Sequence, residues 1–327
     1  MKHSNISIFV PHIGCPNMCS FCNQNTISGA DKAPSAGDVR SICAKALSEI
    51  REPENTEIAF FGGSFTAIER RYMTELLEAA NEFIGEGKFY GIRISTRPDC
   101  VDREILELLK KYGVTAIELG AQSMSDDVLE ANDRGHNAQD VENASRLIRE
   151  YGFELGLQMM VGLYKSTIAD EFKTIDKIIE ICPDTVRIYP VVILKNTKLG
   201  ELLRSGIYKP FYFDDVVEIV SEAMTMFTKR GIRVIKCGLH ASEFVENDMV
   251  GGFYHPAFRE LCESRLCLKK LEELAGECSL LRVAVPYKEA SRWIGHKKCN
   301  IANMKEKGIE LQVKPEQTEK IYIIERR

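Results

Sequence analysis

The chain has 327 residues, 44% of them hydrophobic, a net charge of −5 and eleven cysteines. That length suits one large domain with a smaller appendage, and no run of about 18 apolar residues suggests a membrane span. The acidic balance argues against uniform attraction to nucleic acid, and an odd cysteine count spread over a large chain argues against a disulfide framework. The N-terminal stretch MKHSNISIFVPHIG lacks the apolar core and cleavage site of a secretory signal. A cytoplasmic, reducing setting is therefore expected, in which clustered thiols are metal ligands and the site is oxygen-sensitive.

Strand-like apolar runs at 6–10, 57–61, 91–96, 116–120, 154–160 and 185–189 alternate with segments of helical spacing near 37–52, 68–85, 102–112, 138–151 and 167–181. Such alternation predicts parallel βαβ units with right-handed crossovers. Six units predict an α/β fold, an incomplete (β/α)6 barrel, with a doubly wound sheet as the alternative that period counting leaves open. After residue 214 the pattern changes to a helix over 214–230, a strand over 232–237, the loop Gly251-Gly252-Phe253-Tyr254-His255-Pro256 and a helix over 257–275. The expected organisation is a barrel over 1–240, a connecting loop and helix over 241–276, and a small α+β module over 277–327.

In β/α barrels, ligands bind at the C-terminal ends of the strands. The unusual residues gather at those ends. After the first strand comes Pro11-His12-Ile13-Gly14-Cys15-Pro16-Asn17-Met18-Cys19-Ser20-Phe21-Cys22, a C-x3-C-x2-C loop. Three thiolates in eight residues suit one face of an iron–sulfur cube and leave one iron open. S-adenosylmethionine (SAM) can chelate an open iron, and an electron from the cluster can then cleave its sulfonium bond and release a 5′-deoxyadenosyl radical. Incidental thiols, or a zinc site lacking its fourth ligand, are the alternatives; no second C-x2-C pair supports zinc, since Cys262 and Cys267 stand in C-x4-C. A five-residue step also puts those two on different helix faces.

The loop resembles the signature of the radical SAM superfamily. Further stretches resemble the group that holds the Elongator catalytic subunit and oxygen-independent coproporphyrinogen oxidase. These are Phe61-Gly62-Gly63-Ser64-Phe65-Thr66, Ile94-Ser95-Thr96-Arg97-Pro98-Asp99, Glu118-Leu119-Gly120-Ala121-Gln122-Ser123, Asn132-Asp133-Arg134-Gly135-His136, Met159-Met160-Val161-Gly162-Leu163, and Arg187-Ile188-Tyr189-Pro190 with Asn196-Thr197-Lys198-Leu199. The resemblance covers about residues 5–260. It implies a [4Fe–4S] cluster on Cys15, Cys19 and Cys22, with Phe21 near the adenine of SAM. Gly62, Gly63 and Ser64 take the amino group, although Ser64 stands where many relatives carry an acid. Arg134 suits the SAM carboxylate, and Ser95, Gln122 and Gln158 its ribose and methionine parts; Met159 and Met160 read as packing residues. A low-potential donor such as flavodoxin or ferredoxin is implied as the electron source.

The segment 281–313 predicts strand, short helix, turn, helix and strand, resembling the core of a KH RNA-binding domain. Its Gly-x-x-Gly loop becomes Gly295-His296-Lys297-Lys298, with Lys298 in place of the final glycine. Two lysines and a histidine at a helix N-terminus favour phosphate. A cap or dimerisation unit with solvated lysines is the alternative; Trp293 is expected in the core. The leading functional expectation is a radical SAM enzyme that modifies a nucleotide of ribosomal or transfer RNA. A small-molecule oxidoreductase like the porphyrinogen oxidases, or a non-catalytic iron–sulfur RNA-binding protein, are the other two. The acetyltransferase domain of Elongator-type enzymes finds no room in these 327 residues, so their wobble-uridine product is not carried over. A second N-terminal cysteine triplet is absent, which argues against methylthiolation. No catalytic residue is assigned; Cys237, in Lys236-Cys237-Gly238-Leu239-His240, is the candidate for methyl transfer, with a buried small hydrophobe as its alternative.

Overall fold

The computed structural model describes residues 4–11, 15, 18–23, 32–239 and 243–327; His12, Ile13, Gly14, Pro16, Asn17 and His240 lie outside the described residues. Its main sheet comprises β1 (Ser4–Val10), β2 (Thr56–Gly62), β3 (Gly91–Thr96), β4 (Val114–Gln122), β5 (Glu154–Val161), β6 (Thr185–Pro190) and β8 (Arg233–Cys237), all paired in parallel and in that order. The expected incomplete barrel stands, extended by β8 as a seventh strand. Residues of β1 and of β8 line one chamber, so the sheet is curled rather than flat.

Alternation along the strands sorts the residues onto two faces. Ile58, Phe60, Ile92, Ile94, Ile117, Leu119, Leu155 and Leu157 share one face and join the apolar core with Leu76, Leu77, Leu106, Leu109, Ile148, Ile175 and Ile178 from the crossover helices. Those helices are α1 (Ala36–Glu49), α2 (Arg70–Asn81), α3 (Arg103–Lys111), α4 (Asp126–Ala131), α5 (Ala138–Glu150) and α6 (Ile168–Ile181). Capping boxes at Ser35, Asn137 and Thr167 start α1, α5 and α6, each satisfying otherwise orphaned backbone donors. The concave face carries Glu57, Arg93, Glu118, Glu154 and Arg187 instead. Arg93, 1% exposed, reaches Glu57 at 2.6 Å, Glu118 at 3.3 Å and Glu154 at 2.9 Å. Burial works against its charge, but the three carboxylates outweigh that and hold its pKa above the usual arginine range.

Beyond β6, the strands β7 (Val192–Leu194) and β9 (Met249–Gly252) form a short antiparallel ribbon, against which α7 (Lys198–Arg204) packs and into which α9 (Glu243–Asp248) leads, while α8 (Phe213–Lys229) packs on β8 in the outer helical layer. Helix α10 (Phe258–Ala275) serves two cores: Phe258 and Cys262 join the barrel's, while Leu268, Leu271 and Ala275 join a second cluster with Leu281, Val283, Val285, Trp293, Met304 and Leu311. That second cluster lies under a three-stranded sheet of β11 (Glu310–Glu316), β10 (Leu280–Pro286) and β12 (Tyr322–Arg326). β10 runs parallel to β11 and antiparallel to β12. Between β10 and β11 come α11 (Ala290–Ile294) and α12 (Cys299–Glu306), the helix pair expected from the sequence. Among the described residues no helix is long and apolar enough to cross a membrane.

Candidate functional site

The cysteine loop is pinned by residues from two other motifs. Ser20 lies inside it, donates its amide to Asn132 O at 3.1 Å and its hydroxyl to Asn132 Oδ1 at 2.8 Å, and accepts from the Leu199 amide at 2.8 Å. Asn132 is fully buried and donates onward to Val128 O at 2.8 Å and Tyr164 O at 2.9 Å. The Asn132-Asp133 and Thr197-Lys198-Leu199 stretches thus act as clamps for the thiol loop. Cys19 is buried, Cys15 and Cys22 are half-buried, and the Cys22 amide closes a turn on Cys19 O at 3.1 Å.

The β2 end needs its glycine. Gly62 has φ +116°, and a Cβ there would stand 2.7 Å from Val10 O, so only glycine lets the loop cross β1 so closely. Ser64 is turned inward, bonded to Thr96 Oγ1 at 2.8 Å and accepting the Arg97 amide at 3.2 Å. At the β4 end the pairing with β5 steps over Ala121, and Gln122 takes φ +65°. This bulge re-aims Gln122 into the site. Gly120 makes room for it, since a Cβ there would meet Gln122 Nε2 at 2.8 Å and Arg134 Nη2 at 3.3 Å.

Arg134, 6% exposed, donates to Cys19 Sγ at 3.1 Å and to Gly120 O at 2.6 Å, while its buried Nε has no partner among the described residues. Arg97, for which the sequence alone gave no role, grips Asp99 in a fork at 2.9 and 2.8 Å and leaves Nη1 buried with no partner among the described residues. His136 donates Nε2 to Ala121 O at 3.2 Å in the tautomer this geometry requires. Burial, then the neighbouring Arg134, push its pKa down to about 4, so the ring is neutral and adds no charge. Ser95 and Gln158 meet each other: Gln158 Nε2 donates to Ser95 Oγ at 3.2 Å and to Glu118 Oε2 at 2.9 Å.

Cys15, Cys19, Phe21, Cys22, Gly62, Gly63, Ser64, Ser95, Gln122, Arg134 and Gln158, every predicted metal or cofactor residue, line one cavity together with Thr96, Arg97 and Gly120. The three thiols share its rim, although among the described residues no three ligating side chains close on a common point. The donor set suits a thiolate-bound cluster and an amino-acid-like ligand: three sulfurs, a close-approach glycine turn, and two buried guanidinium groups with unused donors. This cavity opens through Phe21, Cys22, Gly62, Ser95, Gln122 and Gln158 into a chamber of about 500 Å³ inside the curled sheet. Phe9, Phe61, Met160, Arg187, Tyr189 and Lys236 also line that chamber. Met159 is core, as expected, whereas Met160 faces the chamber.

Cys237 ends β8 at 7% exposure and lines neither cavity; it packs against Cys262, whose thiol is held protonated by its hydrogen bond to Cys237 and by burial. In the C-terminal unit Gly295 has φ +84° and packs where a Cβ would meet Cys299 Sγ at 2.5 Å. Asn300, 1% exposed, fixes the turn by donating to Ser264 O, Arg292 O and Trp293 O at 3.0–3.2 Å. Lys297 and Lys298 are exposed and left-handed, and His296 sets its ring edge-on to His255 at 5.2 Å. Trp293 is in the core.

Residues 9–178, more than half of the chain, match the family model of the radical SAM superfamily. The chain belongs to that superfamily. Residues 183–267 match the radical SAM C-terminal domain. A curated relative, the tRNA uridine(34) acetyltransferase of Methanocaldococcus jannaschii, is 30% identical over 205 residues, which cover 56% of this chain and 38% of the relative. The chain therefore spans well under half of that relative's length. Among solved radical SAM structures, an N-terminally truncated Elp3 of Methanocaldococcus infernus superposes with a TM-score of 0.66 at 22% identity, over 82% of this chain and 63% of that one. Coproporphyrinogen III oxidase from Escherichia coli gives 0.52 at 16%, over 70% and 53%. At these identities the two structures share the radical SAM fold with this chain, and members of the superfamily typically bind a [4Fe–4S] cluster and SAM.

Proposed function

We propose that this chain is a radical SAM enzyme acting on an RNA nucleotide, with its cluster on Cys15, Cys19 and Cys22 and SAM in the adjoining cavity. The observation that carries the proposal is the convergence of all the metal and cofactor residues, drawn from six separate stretches of sequence, on one cavity that opens into a chamber. When bound, the cluster and SAM supply one-electron cleavage to a 5′-deoxyadenosyl radical. The chain's own residues bind, orient and exclude water. Gly62, Gly63 and Ser64 shape the seat of the SAM amino group, the unused donor of Arg134 takes the carboxylate, and Phe21 covers the adenine. Ser95, Gln122 and Gln158 offer amide and hydroxyl groups to the ribose and methionine, with Gln158 anchored on Glu118. An external low-potential donor delivers the electron.

The RNA half of the proposal is supported by the tRNA-acting relative and by residues 277–327. These carry eleven Lys and Arg against seven Glu, a net charge of +4 in a chain of −5. The exposed Lys297 and Lys298 sit on a turn that buried Asn300 holds rigid, in a strand–helix–turn–helix–strand unit of KH-like order. We assign this unit to backbone contact with RNA. Comparative nucleoside mass spectrometry of ribosomal and transfer RNA from a deletion strain tests the proposal. Loss of one modified nucleoside is expected; an unchanged profile with intact SAM cleavage would move the enzyme to a small-molecule substrate.

A further inference from the structure

The chamber carries a cation that neither the cluster nor the SAM seat employs. Strand β8 closes the sheet, and its pairing with β6 slips: Val186 faces Val234, but Arg187 faces Lys236, so Ile235 is stepped over. A one-residue slip exchanges the faces of a strand, so this bulge turns a lysine inward where an isoleucine would otherwise stand beside Arg187. Arg187 is already committed, forked onto Glu118 at 2.6 and 2.9 Å and lying over the Phe61 ring at 4.9 Å. Lys236 is half-buried, lines the chamber, and has no carboxylate partner among the described residues. Burial and the charge of Arg187 push its pKa down, a penalty that an incoming anion would relieve.

Cations continue outward from this point along the edge of β8 that α10 borders. Arg259 donates to Val234 O at 3.0 Å; one turn before it on the chain, His255 meets His296, and Lys297 follows directly. Carboxylates also lie here: Glu260 beside His255, and Glu263, which is taken up by Arg259 at 3.0 Å and Arg292 at 2.9 Å. We propose that a single RNA strand runs from the Lys297 turn along this edge into the chamber, with Lys236 holding a phosphate beside the nucleotide to be modified. The inference rests on the RNA reading above and adds its path. The Phe9, Phe61 and Tyr189 rings offer the flat surfaces on which a base stacks, and a chamber of about 500 Å³ lies in the range of ligand sites.

The test is fluorescence anisotropy of the full chain with a labelled, mixed-sequence single-stranded RNA of about a dozen nucleotides, titrated across salt. Lys236→Gln should weaken binding roughly three- to tenfold and lower the salt slope by about 0.7, the share of one phosphate on a single strand, while Lys236→Arg keeps both. Lys297→Gln should do the same, and the double variant should lose both increments. A Lys236→Gln protein that binds like wild type while Lys297→Gln weakens would overturn the path and leave the RNA reading standing. A wild-type chain that binds no RNA would overturn both.

Discussion

The barrel and the C-terminal unit use polar residues in opposite ways. On the barrel's concave side most charges are buried and answered, Arg93 by three glutamates, Arg187 by Glu118 and, past the end of β3, Arg97 by Asp99, with half-buried Lys236 the exception. In residues 277–327 the charges lie outside, and Asn300 is the one polar residue among those buried there, an amide that fixes a turn rather than a charge. A dry, prepaired interior holds polar ligands in fixed orientation and keeps water from a reactive species. A solvated basic surface meets a polyanion with little orientation and strong salt dependence. On the proposed reading the first region positions groups for chemistry and the second captures the substrate, with Lys236 where the two meet.

The contrast can be broken most forcefully at Arg93. Replacing it with leucine takes the guanidinium from buried Glu57 and leaves Glu118 with Arg187 alone, and should cost about 3–5 kcal/mol in denaturant unfolding. A loss below about 1 kcal/mol would mean that the concave face is wetter than its burial implies. A smaller effect is expected at Leu271, fully buried in the second cluster, where alanine should cost about 2–3 kcal/mol. Amide exchange should quicken in β10, β11 and β12 while β2 to β5 stay protected. Equal quickening in both regions would show that α10 welds them into one cooperative unit.

Much of this was legible in the chain. Strands such as β3 and β5 read clearly because both ends are marked and their apolar residues are β-branched or long. The cysteine loop stood out by its spacing after a strand, and Gly62 and Arg134 by the motifs that resemble the radical SAM family. What was not legible depends on pairing across the sheet. The slips that skip Ala121 and Ile235 decide which side chains enter the site, and register is a property of two strands, not one. Strand β8, read as part of a changed pattern, joins the barrel only because β6 leaves an edge free for it. The role of Ser20, between two cysteines, is visible only once Asn132 and Leu199, more than a hundred residues away, are beside it. The charges of Arg93 and Glu118 inside apolar runs were the available signal for a polar interior.

The central claim is that three thiols and the cavity beside them hold a cluster with one open iron for SAM. The most direct measurement is electron paramagnetic resonance of the chain after anaerobic reconstitution with iron and sulfide and reduction, recorded with and without SAM. The account predicts a reduced [4Fe–4S] signal that changes when SAM is added, and no such signal when Cys15, Cys19 and Cys22 are replaced by alanine. A signal that SAM leaves unchanged, or one that survives loss of the three cysteines, would contradict it.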